Sequence, residues 1–159
     1  MTIAFTGHRE YDAERTNEAL YQRIAEIASQ NDDITFLSGM AVGFDLAAAE
    51  AVLEVRRLGY NVGLKCIIPF YGQSRFFCES DQTRYNRVVE LADEVVILSK
   101  SYNSSVFFNR NDFLIDNADT IIAYFNTTKK GGTAYTIRKA RRANLKIENL
   151  YPTAQLSLF

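Results

Sequence analysis

The chain has 159 residues, of which 47% are hydrophobic and 23% charged, and its 18 Lys and Arg against 19 Asp and Glu give a formal net charge of -1. This is the profile of an ordinary globular protein of about one domain, and it excludes a polycation held to nucleic acid or anionic lipid by its overall field, so any anion site must be local. No uncharged run approaches the ~20 residues of a membrane span, no basic segment precedes an apolar core at the start, and Cys66 and Cys78 lack the spacing of a zinc site or disulfide framework; reduced thiols, a cytoplasmic location, no metal and no cofactor are expected.

Thr2–Thr6 reads as a first strand. Its exit, TGHRE, uses Gly7 to relieve the backbone and offers the hydroxyl of Thr6, the imidazole of His8 and the guanidinium of Arg9, which suits a bidentate phosphate contact. His8 is the sole histidine, either an acid–base group near neutral pH or a brace for its loop. Leu20, Ile24 and Ile27 mark the following helix, and Ile34–Ser38 is the second strand. A helix from about Phe44 to Leu58 comes next, with alanines on several faces, as a central helix needs.

The junction SGMAVGFD places Gly39 at the strand exit and Gly43 at the helix start. Together they predict bare amides that a phosphate or ribose can approach, with Ser38 adding a hydroxyl. Asp45 has the wrong sign for phosphate; it would cap the helix or accept a ribose hydroxyl. Glu50 is either a solvated side chain or a spare carboxylate for glycosidic chemistry.

The third strand, Asn61–Ile68, ends at Pro69. Phe70–Ser80 is the longest expected loop, and Phe70, Tyr71 and Tyr102 could stack on a base or pack against the core. Tyr85, Val88, Val89 and Ala92 describe a helix, Glu94–Leu98 a strand, and Val106, Phe107, Phe113 and Leu114 another helix. Arg110 interrupts that apolar pattern, as a phosphate ligand or a paired structural arginine.

Thr120–Tyr124 is the next strand, followed by KKGGTAYT, where Gly131, Gly132 and Thr133 lead into a basic helix around Ala134–Ala143. Arg138, Lys139, Arg141, Arg142 and Lys146 form a solvated face or a DNA-contacting stripe. Lys146–Leu150 is a last strand, and Leu156, Leu158 and Phe159 in the tail fit an edge strand or docked extension. The alternation predicts an α/β fold with a parallel sheet.

Ligands of such sheets sit beyond the carboxyl ends of the strands, at helix N-termini. Glycine-bearing junctions at three of those ends predict a phosphate-bearing ligand. Neither GxxxxGK[ST] nor GxGxxG occurs, which argues against triphosphate hydrolysis and ordinary NAD-dependent hydride transfer.

At TGHR, SGMAVGFDLAAAEAV and RNDFLIDNADTIIAYFNTTKKGGTAYTIRKA the sequence resembles the YpsA-type branch of the SLOG superfamily, named for the Smf/DprA and LOG proteins. The resemblance spans nearly the whole chain. It implies a Rossmann-like three-layer α/β sandwich with a mainly parallel central sheet, residues 1–159 forming one domain with 151–159 as a C-terminal extension. It further implies a shared ligand site of Thr6, Gly7, His8, Arg9, Ser38, Gly39, Gly43, Asp45, Arg110, Asn111, Gly131, Gly132 and Thr133.

Asp116 and Asp119 match the family's acidic pair, read here as capping and turn residues. LOG-type phosphoribohydrolases carry PGGxGTxxE, whose glutamate is associated with catalysis. In KGGTAYT the proline and second turn are missing, and Thr136 stands where that glutamate is expected. A hydroxyl cannot replace a carboxylate as base or cation stabiliser.

The expected function is therefore binding of a nucleotide or nucleotide-derived metabolite, ADP-ribose-like compounds among the candidates, in a sensing or regulatory role. Self-association as a homodimer or higher homo-oligomer is expected, whereas nucleic acid and membrane are not expected partners. One alternative is an enzyme that cleaves or transfers N-glycosidic or phosphate bonds, LOG-like or deoxyribosyltransferase-like, using His8, Glu50 or Asp45. A third is a DprA-like, DNA-associated adaptor.

Overall fold

Successive residues of β1 (Thr2–Gly7) point to opposite faces of a sheet, and both faces are covered: Ile3 and Phe5 join one apolar cluster, Ala4 the other. Two-sided burial is what a central parallel strand demands. The computed structural model describes residues 1–152, so the expected role of Leu156, Leu158 and Phe159 lies outside the described residues.

β1 is flanked by β2 (Ile34–Ser38) and β5 (Thr120–Tyr124). β2 continues to β3 (Val62–Ile68) and then β4 (Glu94–Ile97), and β5 continues to β6 (Lys146–Asn149). Every pairing is parallel, in the order β4-β3-β2-β1-β5-β6.

Helices α1 (Ala13–Gln30), α2 (Phe44–Arg57) and α3 (Glu79–Leu91) cover one face, packing Leu20, Ile24, Leu46 and Val88 with Ile3, Phe5, Phe36 and Leu64. α4 (Val106–Asp116) and α5 (Gly132–Arg142) cover the other, packing Leu114 and Ile137 with Ala4, Leu37 and Ile121. The result is three layers around an all-parallel sheet, the expected Rossmann-like α/β fold. α2 is the central helix: Ala48, Ala49 and Ala51 are fully buried between neighbours that a larger side chain would displace.

The expected loop after Pro69 is not wholly irregular. Residues Gln73–Phe76 form one 3-10 turn, pinned by the buried Gln73, which donates to the Gly39 carbonyl at 3.2 Å and accepts from the Tyr85 hydroxyl at 3.1 Å. Four residues offer no apolar period to read. Asp119 is a turn residue: its Oδ2 accepts from the Thr2 amide at 2.8 Å at the amino edge of the sheet.

No helix among the described residues is long and apolar enough to cross a membrane. From β1 the chain builds outward to β4, then returns to lay β5 on the other side of β1. Connections on the two sides diverge there and open a crevice beyond the carboxyl ends of β1 and β5, where open α/β sheets bind ligands.

Candidate functional site

The β1 exit is fixed from three directions. The His8 amide donates to the Tyr124 carbonyl at 3.2 Å, its carbonyl accepts from the Phe44 amide at 3.1 Å, and its Nε2 accepts from the Asn126 amide at 2.8 Å. Only a neutral ring with its proton on Nδ1 can accept there. Burial lowers the His8 pKa, with Lys129 adding to the effect and Glu10 opposing it. His8 therefore braces the β5–α5 loop, whereas the neighbouring Arg9 is exposed and leans its guanidinium over Phe107, 5.7 Å from the ring centroid.

The space cleared by Gly39 and Gly43 is filled by the protein itself. Gly43 has φ +84, and a Cβ there would lie 2.2 Å from the Arg9 carbonyl oxygen. At Gly39 a Cβ would meet Arg110 Cδ at 2.6 Å. The glycines let the β1 exit and an arginine stem close against α2 and the β2 exit. Ser38 is equally internal: its Oγ donates to the Asp45 carbonyl at 2.9 Å and accepts from the Met40 amide at 3.2 Å. Met40 itself sits at φ 61, a left-handed conformation that side chains adopt only under local constraint.

What these contacts hold in place is a cleft of about 400 Å3, walled by Thr6, Arg9, Asp45, Arg110, Asn111 and Thr133. Gly7, His8, Lys130, Gly132, Phe107 and Phe108 also line it, with Ala41 and Leu114. Residues from β1, α2, α4 and α5 thus meet in one hollow.

Arg110 is buried beneath it, donating from Nε to Asn111 Oδ1 at 2.7 Å and from Nη1 to the Gly39 carbonyl at 2.8 Å. Burial lowers its pKa and the Asp45 charge pulls it back. Asp45 is only 5% exposed, and its Oδ1 has no hydrogen-bond partner. Burial pushes the Asp45 carboxyl up to about 6, against the opposing pull of Arg110, the Ala41 amide and Arg9.

No ion pair joins Asp45 to Arg110 among the described residues. A buried carboxylate oxygen without a donor is costly. Arg9, Arg110 and Lys130 give the same hollow three cationic groups against one acid.

The opposite wall is the start of α5. Gly131 takes φ 130, and Gly132 and Thr133 line the cleft, so amides of the first helical turn, which have no partner within the helix, stand at its edge. Thr136 is buried and its Oγ1 donates to the Gly132 carbonyl at 2.9 Å. It steadies that turn and offers no acid or base.

Ser38, Gly39, Gly43 and Gly131 are not on the cleft wall; they shape the backbone behind it. Glu50 is in a separate polar hollow, where Arg84 Nε donates to both its carboxylate oxygens at 3.1 Å and Arg84 Nη1 to Asp81 at 3.0 Å. It is not a spare carboxylate.

Along the basic helix Lys139 is paired with Asp112 at 2.8 Å, and on β6 Lys146 is paired with Glu148 at 3.3 Å; Arg138, Arg141 and Arg142 are exposed. Sequence reasoning missed Lys130, Phe107 and Phe108 as wall residues. Lys130 was readable as the last residue before the glycine pair. The two phenylalanines were not, because a helical period cannot say that their neighbour is a cavity.

Beside this cleft lies a larger one of about 710 Å3, which shares Arg9, Ala41 and Phe107 with it and continues past Phe70, Tyr71, Phe76 and Tyr102.

The family described as the YspA SLOG family matches residues 3–158. The UPF0398 protein YpsA of Bacillus subtilis is 25% identical over 152 residues, covering 88% of this chain and 84% of that protein. Among solved structures, DNA processing protein A (DprA) from Streptococcus pneumoniae superposes with a TM-score of 0.71 at 16% identity, over 96% of this chain and 51% of that one. DNA processing protein A from Helicobacter pylori, whose structure is described for its single-stranded DNA binding mode, gives 0.69 at 16% identity, over 97% and 66%. This chain thus spans about half the length of the pneumococcal protein, and the likeness to both is one of fold. With the match running across all six strands and every wall of the cleft, the chain belongs to the YspA SLOG family.

Proposed function

We propose that the cleft between β1 and β5 binds a nucleotide or nucleotide-derived metabolite in a sensing or regulatory role. Arg9, Arg110 and Lys130 neutralise the phosphate, the first amides of α5 hydrogen-bond its oxygens, and Asp45 accepts a ribose hydroxyl. The observation that carries this reading is the gathering of Arg9, Arg110 and Lys130 in one hollow with a single acid, Asp45, at the start of α5.

Binding without turnover is favoured because two of the three candidate catalytic groups are engaged elsewhere: His8 by Asn126 and Glu50 by Arg84. A phosphohydrolytic or glycosidic reading keeps one supporting observation, the Asp45 carboxyl raised to about 6, near the range of a working acid or base. Incubation with AMP and detection of adenine, ribose phosphate or free phosphate separates the two. Product formed by the wild type and absent in Asp45→Asn favours the enzyme.

Calorimetric titration tests the binding itself. AMP is expected to bind at least about tenfold more tightly than adenosine, because charge-assisted contacts to phosphate supply the difference. Equal affinities would remove the phosphate from the proposal.

The expectation that nucleic acid is not a partner draws no support from the DprA neighbours. Titration of a fluorescent oligonucleotide at two salt concentrations tests it, since binding through phosphates falls steeply with salt. Self-association belongs to the same proposal, and light scattering that gives the mass of one chain would contradict it.

A further inference from the structure

We propose that the larger cleft is a second, base-stacking subsite, so that the ligand carries two nucleotide units joined through phosphate at Arg9. The inference rests on the phosphate reading of the smaller cleft and extends it. Its first ground is exposure. Tyr71, Phe76 and Tyr102 are 67%, 89% and 63% accessible, yet all three face one hollow. Three large rings left in water on a single concave wall mark a surface that something planar covers.

The wall is built rather than accidental. Phe70 packs edge-on to Tyr102 at 5.6 Å and to Phe107 at 6.1 Å, and the Tyr71 amide donates to the Ser99 carbonyl at 2.9 Å, tying together the two loops that carry these rings. Rings held this way present π-faces and edges without needing to reorganise. Base-on-aromatic stacking tolerates any base.

Charge supplies the second ground. Arg75 and Lys100 line the same hollow, and neither forms an ion pair among the described residues. Its one acid, Asp81, is held by Arg84 at 3.0 Å. Aromatic faces interleaved with free cations fit a base and its phosphate better than they fit a purely apolar guest.

Continuity is the third. Phe107 is the partition between the clefts, and Arg9 and Arg110 each place a guanidinium carbon 5.7 Å from its ring centroid. Arg9 lines both hollows, so a phosphate bridge passing Phe107 meets it from either side. At about 710 and 400 Å3, each cleft has room for one nucleotide unit.

The shared chemistry, base–phosphate–base, occurs in a free dinucleotide with a 5′–5′ diphosphate and in a 3′–5′ nucleic-acid strand. The full chain is titrated with AMP, with diadenosine diphosphate and with the dinucleotide pApA, as wild type, Phe76→Ala and Tyr102→Ala. At least one two-base probe is expected to bind about tenfold more tightly than AMP, and which one gains identifies the source.

Both variants are expected to reduce that gain to within about twofold while leaving AMP affinity unchanged. Phe76 is exposed enough for its variant to keep the fold, and far-UV circular dichroism verifies this for both. AMP binding with no gain for either two-base probe overturns the subsite alone, as do variants that weaken all three probes equally. If none of the probes binds the wild type, the phosphate cleft fails and the subsite with it.

Discussion

Asp45 is the residue at which stability and the proposed binding oppose each other. Its carboxyl is raised from 3.8 to about 6 by burial, so the folded protein holds that proton more tightly than the unfolded chain does. A raised folded pKa gives stability that is present below the unfolded value and lost as pH climbs through the folded one. Here the window is pH 4 to 6, and the loss at neutral pH is on the order of 2–3 kcal/mol. Asp45→Asn is therefore expected to raise unfolding free energy by about 1–3 kcal/mol at pH 7.5 and by little at pH 4, while weakening AMP binding about tenfold. Chemical denaturation at both pH values measures the first effect, and a gain of equal size at pH 4 would show that charge burial is not its cause. Gly43 makes the complementary prediction: Gly43→Ala puts a methyl where the Arg9 carbonyl stands and at φ +84, for a loss of at least about 2 kcal/mol. That Gly39 and Gly43 are special was legible in SGMAVGFD. What fills the space they clear was not, because a glycine opened for a ligand and one opened for the chain's own backbone leave the same mark in sequence.

At the scale of elements, the β5–α5 loop is tied to the β1 exit at two points. The Asn126 amide is held by His8 Nε2 at 2.8 Å, and Lys129 reaches Glu10 at 3.2 Å. His8 has a lowered pKa, so the unfolded chain takes up the proton first as pH falls below 6.5. The stability it contributes is full above that value and declines below it. Protonation also turns the acceptor into a donor facing the Asn126 N–H, which breaks the tether. Hydrogen exchange of the Asn126 amide, corrected for its intrinsic pH dependence, is expected to lose protection as pH falls below the ordinary histidine value, and His8→Ala should lose it at every pH. Unchanged protection in His8→Ala would assign the tether to another group. The strands and helices themselves were readable, because apolar runs and helical spacing are local properties. The turn at Gln73–Phe76 was not; it is fixed by one side chain bonded to Gly39 and Tyr85, contacts remote in sequence. For the same reason Glu50 looked free: its partner Arg84 stands on a different helix.

The molecule as a whole converts distant segments into one site through strand order. Arg9, Asp45, Arg110 and Thr133 lie far apart along the chain, and they meet because β5 lies against β1 after β4 has formed the opposite edge. An α/β architecture was legible from alternation alone, but that adjacency was not, since no local pattern names a strand's neighbour. Ligand binding at such a junction holds several elements at once and should stabilise the fold as a unit. AMP at 100 times its dissociation constant is expected to add about 2.7 kcal/mol and raise Tm by roughly 5–10 °C. Arg9→Ala, which removes an exposed side chain, should keep the wild-type Tm without AMP and lose most of that rise. The most direct measurement is amide chemical-shift mapping of the full chain titrated with AMP. The expected result is that the largest changes fall at residues 6–9, 110–111 and 130–134, around the cleft between β1 and β5. Shifts centred on the Glu50–Arg84 hollow or on the outer face of α5, or no shifts at millimolar AMP, would contradict the assignment of that cleft.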